Sequence, residues 1–217
     1  LHNMLTLAVL PPNKQRRIAE ETLVVYVPIA NRLGISMLKN ELEDLAFFYI
    51  YPEEYKKIDN FLKENEQSMQ LSFNNFITVT KNLLEKNGFE EKNIKIYSRI
   101  KHHYSIYLKM QRKGITIEEV LDLFAIRILV PSDIECYKAL GHIHLEFKPL
   151  VSRFKDYVAT PKENGYQTIH TTVFYNSKIY EIQIRSFEMN NIAEYGIAAH
   201  WAYKTGEKNN ASSSNAN

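Results

Sequence analysis

The sequence predicts an α/β or α+β domain preceded by a helical segment, and three observations carry that prediction. Apolar residues recur at helical spacing through the first part of the chain. From about residue 93 short β-rich runs alternate with helical stretches. The composition, 45% hydrophobic and 24% charged over 217 residues, suffices for a packed core in one large domain or two small ones.

The elements follow in chain order. Pro11-Pro12 interrupt the opening helix, and KQRRIAEETLVVYVPIANRLGI resumes it, with Pro12 well placed at a helix start. Pro28 is expected to end or kink that helix. MLKNELEDLAFFYI and EEYKKIDNFLKENEQSMQLSFNNFITVTKNLLEKNG read as amphipathic helices stopping at Gly88, their Glu and Lys residues as solvated faces. NIKIYSRI alternates as a strand, and SIYLKMQRKG is a helix ending at Gly114. FAIRILV is a strand and ECYKALGHIHLEF a helix. HTTVFYNSKIYEIQIRS reads as a hairpin turning at Asn176-Ser177. MNNIAEYGIAAHWAYK closes the ordered chain as a helix, and the polar tail NNASSSNAN is expected to be disordered. No internal repeat is visible.

Composition also excludes. A formal net charge of +2 gives no global polybasic signal, so any basic site must be local. The single cysteine, Cys136, excludes an internal disulfide framework and fits a reducing, cytoplasmic compartment. No apolar run approaches the roughly 20 residues a spanning helix needs. Leu1-His2-Asn3-Met4 has no basic segment leading an apolar one, so no signal peptide is expected. A start inside a helix without an initiator Met suggests a piece of a longer protein.

Several residues could carry chemistry. In EIQIR, period two puts Glu181, Gln183 and Arg185 on one strand face and Ile182 and Ile184 on the other; the polar face must meet water, a partner or a ligand. Between Lys95 and Lys113 stand six Lys or Arg residues and no acid. Arg99 and Lys101 share a strand face there, while Ser105 and Lys109 lie four apart on the next helix. Such a strand-to-helix turn could cradle a polyphosphate at the helix N-terminus, although an ordinary basic surface fits as well. Asp122, at the edge of an apolar strand, would cap, pair or bind a cation. With Glu181 it makes the carboxylate pair that Mg²⁺ on substrate phosphates needs. Tyr166, after the turn pair Asn164-Gly165, could stack on a base or simply pack. His142 and His144 diverge on a helix, His102-His103 lack ligand spacing, and Cys136 reads as core filler.

Together YSRIKHHYSIYLKM, DLFAIRILV, RFKDYVATPKENGYQTIHTTV, EIQIR and AEYGIAAHWAYK closely resemble the synthetase domain of the long Rel/SpoT stringent-response enzymes. The resemblance implies a mixed β-sheet, nucleotidyltransferase-like synthetase domain over residues 61–205. Before it, residues 1–60 would be the helical end of a hydrolase domain with connecting helices, and 206–217 a disordered tail. It implies (p)ppGpp synthesis, the β,γ-diphosphate of ATP moving to the ribose 3′-hydroxyl of GTP or GDP. Asp122 and Glu181 would hold Mg²⁺, with Glu181 also the base. Arg99 and Arg127 would sandwich adenine, and Lys101, Ser105 and Lys109 would meet the ATP phosphates. Tyr166 would stack guanine, with Arg153, Lys155, Lys162, Asn164 and His170 on the acceptor side. Gln183 and Arg185 would lie near the phosphates. Arg153-Phe154-Lys155-Asp156 is the Arg-x-Lys-Asp form that goes with bifunctional relatives accepting GTP as well as GDP. The hydrolase metal and catalytic motifs do not occur in this chain, so hydrolysis is not expected. Ribosome contact would run only through C-terminal domains absent here, no membrane contact is implied, and oligomeric state stays open. Two other readings compete. A polymerase-β-like nucleotidyltransferase would carry a Gly-Ser motif and an Asp-x-Asp pair, neither of which occurs. A non-catalytic nucleotide-binding domain would not need both acids.

Overall fold

The computed structural model describes residues 1–120 and 123–196. The chain opens with α1 (His2–Leu5) and α2 (Pro12–Glu21), with Pro12 in the first turn of α2, where its missing N–H is no loss. Pro28 does not end the helix. A π-turn over Thr22–Tyr26 leads into α3 (Val27–Arg32), with Val27 N–H bonded to Thr22 O. Widening the ladder just ahead of Pro28 accommodates the donor that proline lacks. α4 (Ser36–Ile50) follows, then α5 (Pro52–Lys86), one helix of 35 residues with no breaker inside it.

The remaining elements are β1 (Lys95–Ile100), α6 (His103–Lys113), β2 (Phe124–Val130), α7 (Asp133–Glu146), β3 (Lys148–Pro149), β4 (Lys155–Asp156), β5 (Ile169–Tyr175), β6 (Lys178–Ser186) and α8 (Phe187–Tyr195). The strands form one mixed sheet in the order β1-β2-β6-β5-β3, with β4 also paired to β5. β2 and β6 run parallel, and the other pairs are antiparallel. The α+β class and the mixed sheet are as the sequence predicts. So is the β5–β6 hairpin, where Asn176 and Ser177 take φ of 46° and 60°, the left-handed pair that matches strand twist in a two-residue turn. The closing helix expected to run from Met189 to Lys204 stops at Tyr195, where Gly196 takes φ of 82°, and its remainder from residue 197 lies outside the described residues. Among the described residues no helix is long and apolar enough to cross a membrane.

Each face of the sheet has its own cover. Ile126, Ile128, Val130, Ile182 and Ile184 pack on Phe73, Phe76 and Leu84 of α5 and on Cys136, Ala139 and Ile143 of α7. A smaller cluster gathers Met4, Leu7, Ala19 and Val27 with Leu42, Ala46 and Ile50 of α4. α4 belongs to both, because Phe47 on its other side enters the main core. The polar face of the sheet is not a solvated outer face. α8 contacts β2 and β6 and is itself contacted by α4, and every position of β2 is buried.

Candidate functional site

Register builds the site. Tyr97, Arg127, Gln183, His170 and Lys155 are paired positions across β1, β2, β6, β5 and β4, so their side chains stand in one row. Glu181, opposite Ala125 and Thr172, begins the next row, with Arg99 across from Ala125. The rows floor a cleft of about 770 Å³ walled by α3, α4, α6, α8 and the loop before β5. Every described candidate lines it: Arg99, Lys101, Ser105, Lys109, Arg127, Arg153, Lys155, Lys162, Asn164, Tyr166, His170, Glu181, Gln183 and Arg185. Asp122 lies outside the described residues.

Arginines dominate the floor. Gln183 Oε1 accepts from Arg99 and Arg127, each at 3.4 Å. Arg127 donates to Glu194 at 2.7 Å and to Asn190 at 3.3 Å, both on α8. Arg185, only 2% exposed, donates to the Tyr166 hydroxyl at 2.6 Å. Burial first, and neighbouring guanidinium groups after it, press Arg99 and Arg185 below the ordinary arginine value. For Arg127 burial acts in the same direction, but Tyr97 and Glu194 outweigh it and hold its pKa up. Among the described residues, the Nε atoms of Arg127 and Arg185 are buried with no hydrogen-bond partner. Cations packed this closely repel one another, and an anionic ligand relieves that repulsion.

Around Tyr166 a chain of contacts runs from Arg185 to Glu181. Arginine can only donate, so the Tyr166 hydroxyl accepts from Arg185, and it also meets His170 Nε2 at 3.2 Å. The other ring nitrogen, His170 Nδ1, faces Glu181 Oε1 at 3.8 Å. That contact would be an ion pair only with a charged imidazole. Burial, then Arg185 and Lys162, pushes His170 down to about 3, so it stays neutral. Lys162 lies 4.9 Å from the Tyr157 ring and 5.1 Å from that of Tyr166, and Arg185 lies 4.9 Å from the latter. Asp156 does not join Lys155 in the cleft. It accepts from Val158 N–H, Ala159 N–H and the Tyr137 hydroxyl, which holds the turn after β4.

The donor side differs from the sequence expectation in one respect. The first N–H groups of α6, from His103 and Tyr104, are taken by the Asp44 carboxylate at 3.2 and 2.8 Å. A phosphate cannot use those same amides, and the groups left facing the cleft here include the side chains of Lys101, Ser105 and Lys109. Glu43, also read as solvated, is 5% exposed and accepts from Lys39 and His102, each at 2.8 Å. Burial raises its pKa, but those two partners outweigh burial and hold it below the usual carboxylate range. Ser105 Oγ approaches both nitrogens of His102 almost equally, at 3.1 and 3.0 Å. It therefore lies along no single lone pair, and Glu43, His102 and Ser105 do not form a nucleophilic triad.

Sequence reasoning missed Glu43, Asp44, Asn190 and Glu194. Asn190 and Glu194 did leave a signal, two polar residues four apart and so on one side of the helix. The excluded residues are structural. His144 meets Thr171 Oγ1 at 2.7 Å, and buried Cys136 has its thiol pushed up to about 12 by burial.

A family model described as a region found in RelA / SpoT proteins matches residues 98–208, and an HD domain model matches residues 1–36. The chain is 47% identical over 209 residues to a guanosine-3′,5′-bis(diphosphate) 3′-pyrophosphohydrolase of Aquifex aeolicus, covering 95% of this chain and 30% of that protein. It is 44% identical over 207 residues to a GTP pyrophosphokinase of Myxococcus xanthus, covering 95% and 27%. The chain thus spans less than a third of the length of these relatives. The small alarmone synthetase 1 of Bacillus subtilis, solved with its product pppGpp, is 28% identical over 70% of this chain and 83% of its own, with a TM-score of 0.46.

Proposed function

The chain belongs to the family defined by the region found in RelA / SpoT proteins, and on that premise we propose that its cleft transfers the β,γ-diphosphate of ATP to the ribose 3′-hydroxyl of GTP or GDP, making (p)ppGpp. The observation that carries the reading is the convergence of all the described candidate residues on one cation-rich cleft that also holds a carboxylate, Glu181.

The chemistry suits these residues. Two nucleoside triphosphates bring about eight negative charges, and an in-line approach requires them offset and aligned. Lys101, Ser105 and Lys109 meet the donor phosphates, and Arg99 and Arg127 stack the adenine with planar guanidinium groups that lysine could not replace. Tyr166 stacks the acceptor base, with Arg153, Lys155, Lys162 and Asn164 around its sugar and phosphates. His170, neutral with a pKa of about 3, is a poor base at pH 7. Taking the proton from the 3′-hydroxyl therefore falls to Glu181. Gln183 and Arg185 lie beside it near the transferred group.

Glu181 also fits a magnesium ligand. It is a hard oxygen donor in the cleft, and its recorded partners, Gln183 Nε2 at 3.2 Å and His170 Nδ1 at 3.8 Å, both meet Oε1. When bound with Asp122 and Glu181, Mg²⁺ would neutralise charge on the phosphates. The Lys155 form of the acceptor loop favours use of GTP as well as GDP, in the cytoplasm.

The test is label transfer from γ-labelled ATP to GTP with Mg²⁺, beside Glu181→Gln. Label in a guanosine pentaphosphate, lost in the variant, is the expected result. Both nucleotides bound without transfer, whatever the metal, would instead favour a non-catalytic binding domain.

A further inference from the structure

The α3–α4 turn and the body of α4 touch opposite halves of the cleft, although the sequence assigned them to the helical segment before it. On the donor side α6 has no local cap, since His102 at its N-cap makes no side-chain cap bond. Asp44 replaces it from across the fold, accepting from His103 N–H and Tyr104 N–H at 3.2 and 2.8 Å. Unsatisfied N–H groups at a helix start are costly, so this carboxylate sets where α6 begins. Ser105 and Lys109 ride on that helix. Adjacent Glu43 ties down His102 at 2.8 Å, which fixes the turn between β1 and α6.

On the acceptor side the turn lies directly under the Asn164 loop. Asn164 Nδ2 donates to Asn31 O at 3.2 Å. Gly34 has φ of 71°, and a Cβ there would stand 3.0 Å from Asn164 O and 4.0 Å from Gly196 Cα. Gly196 is equally close-packed, since its own Cβ would stand 2.8 Å from Leu33 O. The backbone of the loop that carries Asn164 and Tyr166 therefore rests on a turn that tolerates no side chain.

We propose that Asp44 and Gly34 are positioning residues of this cleft, Asp44 for the donor-nucleotide half and Gly34 for the acceptor-nucleotide half. The proposal rests on the pyrophosphoryl-transfer reading above. Neither residue lines the cleft. Each acts through an element that does, so their effects separate by substrate.

Steady-state kinetics on the whole chain test this, with ATP and GTP varied in turn. Asp44→Ala is expected to raise the KM for ATP about fivefold, the size of a lost helix cap, and to leave that for GTP unchanged. The two amides meet different oxygens of Asp44, so Asp44→Asn, which keeps one accepting oxygen, should recover only part of the loss. Gly34→Ala is expected to raise the KM for GTP by a similar factor and to leave that for ATP unchanged. Gly88→Ala is the control for backbone strain alone, because Gly88 also has positive φ, 89°, but nothing within 4 Å of its Cβ position. If Asp44→Ala and Gly34→Ala shift both constants alike, or Gly88→Ala matches Gly34→Ala, the proposal is overturned. Titrations with fluorescent N-methylanthraniloyl ATP and GTP keep this separate from the reaction itself. The same split in Kd without turnover would sink the transfer reaction and leave the positioning roles standing. Wild-type chain that binds neither probe would sink both.

Discussion

The Tyr166 hydroxyl links Arg185 to His170. It accepts from Arg185 at 2.6 Å and meets His170 Nε2 at 3.2 Å, and His170 turns its other nitrogen toward Glu181. Its ring faces Lys162 and Arg185. Ring and hydroxyl therefore have separable duties. Tyr166→Phe keeps the surface on which a base stacks but leaves a buried guanidinium donor unmatched, a loss of about 1–3 kcal/mol. It also frees the His170 imidazole to rotate away from Glu181. Turnover should fall about tenfold or more while the KM for the acceptor changes little, since stacking is retained. Steady-state kinetics with GTP varied would read this. A large rise in KM with kcat intact would show instead that the hydroxyl contacts the nucleotide.

At the level of elements, much was legible and one kind of contact was not. Strands, hairpin and the helix ending at Gly114 follow from alternation, turn residues and a left-handed C-cap, all of them local signals. The sharing of one face by Glu181, Gln183 and Arg185 was equally local. What periodicity could not reveal is which face a distant element covers. Lys39 and Glu43 are spaced like any solvated pair, and nothing nearby announces that the buried partner is His102. Asp44 and Asp59 were hidden in the same way. His103 sits between them, Nδ1 at 3.5 Å from Asp44 and Nε2 at 3.2 Å from Asp59, with its ring stacked on Tyr55 at 4.5 Å. This clamp ties α4, α5 and α6 together. Burial lowers the His103 pKa, but the two carboxylates outweigh it and raise it above the ordinary 6.5. A raised folded-state pKa stabilises fully below the unfolded value and loses that contribution as pH rises through the folded one. The stability margin of wild type over His103→Gln should therefore be greatest below pH 6.5 and shrink above it. Urea denaturation of both chains across that range checks the sign, and a margin that grows with pH would refute the clamp.

Across the whole molecule, the two hydrophobic clusters meet inside α4, whereas the boundary expected from the sequence, after residue 60, lies inside α5. Residues Leu42, Ala46 and Ile50 close the small N-terminal cluster, while Phe47 and Ile58 belong to the core under the sheet. Phe47 is wholly buried and packs against Tyr51, Tyr55, Tyr104 and Tyr107, so it joins α4 and α5 to α6. A synthetase domain begun at residue 61 would lack Phe47, Tyr51, Tyr55 and Ile58 together. Removing one buried phenylalanine ring costs about 3–5 kcal/mol, against a total stability of about 5–15 kcal/mol for an ordinary domain. It would also lose Asp44 and Glu43, leaving the start of α6 uncapped and His102 without its acid. A chain of residues 61–217 should therefore show no cooperative thermal unfolding. A chain of residues 36–217 keeps α4 and the whole main core, and should melt cooperatively at a lower temperature than the parent. Calorimetry of the two distinguishes the cases. If the chain begun at 61 melts cooperatively near the parent temperature, the boundary expected from the sequence holds and α4 only rests against a domain complete without it.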